Sequence, residues 1–415
     1  MVTLMSNPDF DVLLIGTDIN AYYMARNFHE AYGITVNLLG KVPMKFTSFS
    51  KICNLILEPN LWEQEVFKQR LKEYGKQANN KKIVLVATNE TYVRMVVENA
   101  EFLKQWYVFN YVGEELMNNL ILKENFYAMY GESELINVPQ TYAYQCNADE
   151  LDVMRVQELE FPLIVKPADT VKWYEYEFEN RAKVYRPASM EELQKIIHDA
   201  ETAGYSETLI LQQYITGNDT HLFDCVFYVS QAGDPQLQTF AQIGLQEPIP
   251  TEIGSCTVLI NGYNQFRNTD EVKDLLKQFL VSIGYRGICE FDLKYDPIRK
   301  KFFVFEINPR QPRCGYYVTA CGHNLAKYLV DDLIYNKKKE FTFVNEEVAL
   351  SFVPMNVIRE YVQNEDYVQK VMALEQSGRL TRVLDYRGDK CLKRKLWLMR
   401  RDSQTVKKYQ QFKWQ

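Results

Sequence analysis

Short apolar runs alternate with stretches of helical apolar spacing along the first hundred residues. In "DVLLIGTDINAYYMARNFHEAYGITVNLLG", Val12–Ile15 is a short apolar strand and Gly16 supplies a turn. From Ala21 to Tyr32 the apolar residues recur with helical spacing, and Gly33 ends that helix. "ITVNLLG" is the next strand, so the chain opens as β-α-β. "KKIVLVATNE" repeats the strand signal over Ile83–Ala87, with a helix after it. Strands alternating with helices predict a parallel sheet with crossover helices, an α/β unit of Rossmann-like form. Gly16 stands alone and is not part of a GxGxxG pattern, so dinucleotide binding is not indicated.

The pattern changes near Glu114. "EELMNNLILKENFYAMYGES" reads as one helix ending near Gly131, and "INVPQTYAY" leads into a strand. "FPLIVKPADT" is a strand that ends on a lysine and a proline. "SMEELQKIIHDAETAG" is an amphipathic helix stopped by Gly204, and "ETLILQQYITG" is another strand. "DEVKDLLKQFLVSIG" is a helix closed by Gly284, and one long helix is predicted from about Thr319 to Tyr335. Three units follow: residues 1–113, 114–345 and 346–415, the last a mixed region with a basic tail. No internal repeat or low-complexity linker separates them.

Between the last two of these helices, "EFDLKYDPIRKKFFVFEIN" reads as a hairpin. A turn centred near residue 299 pairs Tyr295 with Phe303, Asp292 with Glu306 and Glu290 with Asn308. Strand side chains alternate faces. Glu290, Asp292 and Lys294 then share a face with Val304, Glu306 and Asn308, while Phe291, Leu293, Tyr295, Phe303, Phe305 and Ile307 form the core face. Opposed residues have Cβ atoms about 4.5–5.5 Å apart, and like charges there are destabilising unless neutralised. A divalent cation, Mg²⁺ in particular, suits carboxylate and amide oxygens, so Asp292, Glu306 and Asn308 are candidate metal ligands. The other reading is a solvent-facing polar strand with Lys294 balancing the acids. Arg310 continues the alternation past the strand end, where a guanidinium suits a phosphate oxygen or an oxyanion. Lys123, and Lys166 at the end of its strand, offer phosphate contacts. Gln212 and Gln213 offer amides for a purine edge.

Composition changes the picture in a few places. With 47% hydrophobic and 25% charged residues, the chain is an ordinary globular one. No apolar run has membrane-span length, and "MVTLMSNPDF" has no secretion signal, so the expected compartment is the cytoplasm. Eight scattered cysteines without a CxxC pair predict reduced, mostly buried thiols. Four unpaired histidines argue against zinc chemistry. From Arg379 to Gln415 there are twelve Lys or Arg against three Asp, a net of +9 in a chain of net −6. That predicts a solvated basic helix, or a surface for an anionic substrate or the inner membrane face. The acidic remainder argues against nucleic acid.

The order of these signals resembles the ATP-grasp superfamily. Lys123 stands on the opening helix, Lys166 in a "VKP" strand, and "QQYITG" with Ile215 resembles the adenine hinge, with Asp219 beyond it. Asp292 and "EINPR", carrying Glu306, Asn308 and Arg310, complete the order. The resemblance implies two α+β subdomains preceded by the Rossmann-like parallel-sheet domain, and the cofactors ATP and Mg²⁺. Within the superfamily the chain is similar to D-aspartate ligases of Gram-positive bacteria through "GTDINAYYMARNFHEAYG", "FPLIVKPADTV", "FDLKYDP" and "FEINPRQPRCGYYVTACGHNLAKYLVDDLIYN". That implies an ATP-dependent ligase of peptidoglycan (cell-wall) synthesis. It would join the side-chain carboxylate of D-aspartate to the lysine ε-amine of a UDP-linked muramyl pentapeptide through an acylphosphate. A ligase for another amino acid or peptide, and a non-catalytic nucleotide-binding module, are the alternatives. The pattern departs from the family in one place. "ADTVKWYEYEFENRAKVYR" has no glycine where a glycine-rich phosphate loop is usual, so Arg181 or Lys183 is expected to close over the phosphates. Arg313 is a candidate for the donor carboxylate.

Overall fold

The computed structural model describes residues 8–78, 81–148, 150–249, 252–266 and 269–412. The N-terminal sheet has five parallel strands: β1 (Phe10–Ile15), β2 (Val36–Gly40), β3 (Cys53–Leu57), β4 (Lys82–Ala87) and β5 (Tyr107–Val108), in the order β3-β2-β1-β4-β5. The expected α/β character holds. β3 and β5 lacked a signal in the sequence because "CNLIL" is short and half-exposed and β5 has two residues. The order reverses between β1 and β4, the place where open parallel sheets bind ligands at their carboxyl ends. Gly16 makes the turn there at φ 132°, and a Cβ would meet Thr88 Oγ1 at 2.0 Å. Asp18 caps the first helix by accepting from Ala21 N at 3.0 Å.

A small sheet follows, of β6 (Thr141–Gln145), β7 (Leu163–Pro167) and β8 (Thr208–Gln213), in the order β6-β8-β7. It packs on the helix Met190–Thr202 with a core of its own around Trp173, Leu193, Tyr205 and Leu211. The remaining strands form a nine-stranded sheet: β9 (Leu222–Val229), β10 (Pro235–Gln238), β11 (Ala241–Gln246), β12 (Cys256–Asn261), β13 (Gly287–Asp296), β14 (Lys301–Asn308), β15 (Thr342–Phe343), β16 (Val348–Ser351) and β17 (Leu380–Thr381). Its main path runs β14-β13-β9-β11-β12-β16-β17, with β14 at the edge. The helices 316–320 and 325–333 join it to the first sheet, so Val84, Val226 and Val330 belong to one continuous core.

Two helices are broken where one was expected. Leu122, with extended dihedrals, divides Glu114–Ile121 from Lys123–Tyr130. Asn324 starts a new helix at Leu325 by accepting from Ala326 N at 2.9 Å, and this ends the single helix predicted from Thr319 to Tyr335. All eight cysteines are free, six of them buried. Among the described residues no helix is long and apolar enough to cross a membrane.

Candidate active site

The β13–β14 hairpin holds the charged face. Glu290 pairs with Asn308 and Asp292 with Glu306, as the expected register requires. Between Asp292 and Leu293 the register shifts by one residue, so Tyr295 pairs with Phe302 and not with Phe303. This is a β-bulge with Phe305 as the extra residue of β14, and it flips the β14 side chains beyond it. Phe302, Val304 and Ile307 therefore enter the core with Phe291 and Leu293; Phe303 and Phe305 do not. The bulge is held from outside: Tyr127 Oη donates to Phe305 O at 2.7 Å, and Val304 N donates to Asn137 O at 2.8 Å.

The extra residue is on β14; β13 pairs with β9 without a break from Gly287 to Lys294, so Lys294 keeps the strand face of Glu290 and Asp292. It lies near the charge of buried Asp219 and 5.4 Å from the centre of the Tyr214 ring. Burial lowers its pKa to about 8, against the pull of Asp219. The carboxylates that act on Lys294 are Asp219 and Asp296. Three lysines from other elements act on Glu306 instead.

Those lysines are Lys123, which opens the helix Lys123–Tyr130, Lys166 on β7, and Lys183 in the loop that follows β7. Burial raises the pKa of Glu306, but the lysines and a hydrogen bond with Asp292 outweigh it and hold the carboxylate below its usual range. Asp292 is pushed well up, first by burial and then by the Glu306 charge. Lys166 Nζ donates to Tyr127 Oη at 3.0 Å and to Gln212 Oε1 at 3.1 Å. Burial lowers its pKa to about 8. Lys183 Nζ donates to Ile253 O at 3.0 Å, and burial lowers its pKa as well.

Arg310 sits where the hairpin meets the switch point of the first sheet. Its guanidinium donates to Glu90 Oε1, just after β4, at 2.9 Å and to Asn308 Oδ1 at 3.2 Å, and lies 3.8 Å from Glu290 Oε2. Asn308 Nδ2 donates to Asp292 Oδ2 at 3.2 Å and Glu290 Oε2 at 3.3 Å. Asp18, buried at the turn after β1, has its pKa raised by burial and feels the charge of Arg310. Behind Glu290, Asp224 accepts from Tyr317 Oη at 2.5 Å and from Cys314 Sγ at 3.0 Å.

No family profile matches the chain. The sequence is 29% identical to the D-aspartate ligase of Enterococcus faecium (strain Aus0004) over 411 residues, 96% of this chain and 95% of that protein. Among solved structures, the N5-carboxyaminoimidazole synthetase of Staphylococcus aureus complexed with ADP superposes with a TM-score of 0.61, at 13% identity over 86% of each chain. The chain has the ATP-grasp fold. An L-amino acid ligase from Bacillus licheniformis agrees, with a TM-score of 0.56 and 13% identity over 78% of this chain and 74% of that one.

In ATP-grasp terms, the fold gathers Lys123, Lys166, Lys183, Asp292, Glu306, Asn308 and Arg310 into one charged cleft between the small sheet and the large one. Arg181 is not brought there. It donates to the carbonyls of Tyr174 and Tyr176 and ties up its own loop. That glycine-free loop is stiffened by Trp173, whose Nε1 donates to Ala182 O at 2.9 Å and whose ring packs edge-on against Tyr205. Gln212 is buried, and both ends of its amide are engaged: Oε1 by Lys166, Nε2 by Thr141 Oγ1 at 2.9 Å. Gln213 is half-buried and its backbone N donates to Gln140 O. Ile215 is buried, and Asp219 accepts from Gln246 N and Nε2. Arg313 points away from Arg310, to Glu247 Oε1 at 2.8 Å and over the Phe352 ring. Sequence reading missed Glu90, Asp18 and Asp224, because nothing local marks a carboxylate whose partners arrive only after two sheets meet.

Proposed function

We propose that this ATP-grasp ligase joins the side-chain carboxylate of D-aspartate to the lysine ε-amine of a UDP-linked muramyl pentapeptide. The observation that carries the ligase chemistry is the convergence of three lysines on Glu306, opposite Asp292 and beside Arg310. The near-full-length likeness to a D-aspartate ligase supports the choice of donor.

Lys123, Lys166 and Lys183 bind the oxygens of the ATP phosphates. The donor carboxylate attacks the γ-phosphorus, giving an acylphosphate and ADP. The acceptor amine then attacks the acyl carbon and phosphate leaves. Arg310, fixed by Glu90 and Asn308, stabilises negative charge on the transferring phosphoryl group and on the tetrahedral oxyanion. Asp292 and Glu306 are opposed hard oxygen donors, and Asn308 serves with them once its amide turns to present Oδ1, so the set fits Mg²⁺. The ion would supply positive charge against the phosphates. Gln213 and Ile215 border the adenine and Asp219 lies behind them. Gln212 acts on the nucleotide through Lys166.

The deciding assay is ADP release with D- or L-aspartate and the UDP-linked pentapeptide. The proposal expects turnover with D-aspartate and both substrates present. Turnover confined to L-amino acids would replace the donor, and no ADP under any pairing would point to a nucleotide-binding module. The basic C-terminal helix is proposed to face the acceptor. Lys393→Glu together with Lys395→Glu is expected to raise KM for the acceptor. Arg394 is left out because it is buried against Asp389.

A further inference from the structure

A cavity of about 600 Å³ lies away from the carboxylates, between the C-terminal helix Leu392–Gln411 and the segment 382–391. Its wall combines an apolar floor, with Leu384 and Leu398, and a set of cations. Two arginines of that wall are neutralised. Arg382 donates to both oxygens of Asp402 at 2.9 and 2.6 Å, and Arg394 pairs with Asp389 at 3.3 Å. Lys390, Lys395 and Arg401 line the same cavity and have no carboxylate partner within ion-pair distance among the described residues; Asp385 is the one acid of the wall left outside an ion pair.

Arg401 is the informative member. Its Nη1 donates to Phe352 O at 3.0 Å, and the rest of its five-donor fork has no hydrogen-bond partner among the described residues. Burial, together with the nearby Arg313 charge, lowers its pKa. Arg401 is half-buried; the charges of Glu247 and Asp402 reach it, but neither carboxylate comes within ion-pair distance, so an anion from outside would complete its fork. Arg313 lies over the ring of Phe352, which also lines the cavity, and stands three residues beyond Arg310.

We propose that this cavity is the acceptor's anchoring site, in which Arg401, with Lys395 at the rim, takes an oxyanion of the acceptor, either phosphate or carboxylate. The proposal rests on the ligase reading for the identity of the ligand, but its test does not need turnover. UDP, and separately the nucleotide-free peptide carrying the acceptor amine, are titrated by calorimetry into the full-length protein, Arg401→Gln and Lys395→Gln. ADP release is measured in parallel. The expectation is that Arg401→Gln weakens one probe by about tenfold, or about 1.4 kcal/mol, while KM for the acceptor rises and kcat holds. Loss on UDP identifies a phosphate, and loss on the peptide a carboxylate. Lys395 is exposed, so Lys395→Gln gives the same, smaller shift even if Arg401→Gln folds poorly. Both probes binding the variants as they bind the unaltered protein, or neither probe binding the unaltered protein, overturns the site. A protein that never releases ADP refutes the ligase reading instead, and the calorimetry still decides the cavity.

Discussion

Glu306 is the residue on which the charges of the cleft converge. With three lysines around it and Asp292 opposite, it remains ionised where an isolated buried carboxyl would take up a proton. Glu306→Gln is expected to lower ADP release by about 10²-fold or more while urea unfolding stays cooperative; near-normal turnover would remove the metal and phosphate assignment. Lys166 carries a second expectation. Its folded pKa is lowered to about 8 from the model-peptide value of 10.5, so it is charged below about pH 8 and neutral above. ATP affinity should therefore fall as pH rises through 8, and Lys166→Gln should lose that fall. In the ligand-free protein the unfolded chain holds more protons between pH 8 and 10.5, so this group's contribution to stability grows with pH across that window. Binding titrations and denaturation at several pH values check both signs.

At the scale of elements, the hairpin is the working part, and the bulge defines it. Without the shift between Asp292 and Leu293, Phe303 and Phe305 would face the core. With it, Phe302 and Val304 take that place, and Glu306 is neutralised from other elements. Tyr127 joins two of these parts, because its hydroxyl both donates to the bulged Phe305 carbonyl and accepts from Lys166. Tyr127→Phe is expected to cost about 1–2 kcal/mol in denaturant unfolding and to raise KM for ATP. An unchanged KM would show that Lys166 is placed without it. The register near the carboxylates was legible in the sequence because acids and amides alternate there with apolar residues. The bulge was not, since its cause is Tyr127 and Asn137, more than 160 residues upstream of the strand they hold.

On the scale of the whole molecule, several polar contacts tie the C-terminal region to the N-terminal unit, among them Arg26 Nη1 to Val383 O at 2.8 Å, Arg394 Nη1 to Phe46 O at 2.9 Å and a cluster around one carboxylate. Buried Asp389 accepts from Tyr22 Oη at 3.0 Å, Ser50 Oγ at 2.8 Å and Lys51 N at 2.6 Å, and pairs with Arg394. Asp389→Ala leaves Arg394 buried without its partner, and about 3–5 kcal/mol of stability should be lost. Equilibrium unfolding measures it, and a loss below about 1 kcal/mol would show that this carboxylate is not what holds the two regions together. A division of the chain at residues 113/114 and 345/346 remains a proposal about units. Strands β16 and β17, beyond the second boundary, lie in the large sheet, and one apolar core runs from Val84 to Phe352. The small sheet, by contrast, has its own core.

The sequence by itself determined the parallel β-α-β opening, the order of lysines and carboxylates along the chain, and the pairing of Asp292 with Glu306. Each of these follows from local periodicity or from residues within one hairpin. Only the tertiary structure decided which charges meet. Glu90 reaches Arg310 across 220 residues, Lys294 lies by Asp219, Arg181 ties up its own loop, and Gln212 spends both ends of its amide inside the protein. Burial and the partners that come with it are properties of packed elements. A run of letters fixes a residue's chemistry, and the fold fixes whether water, a proton or another chain segment answers it.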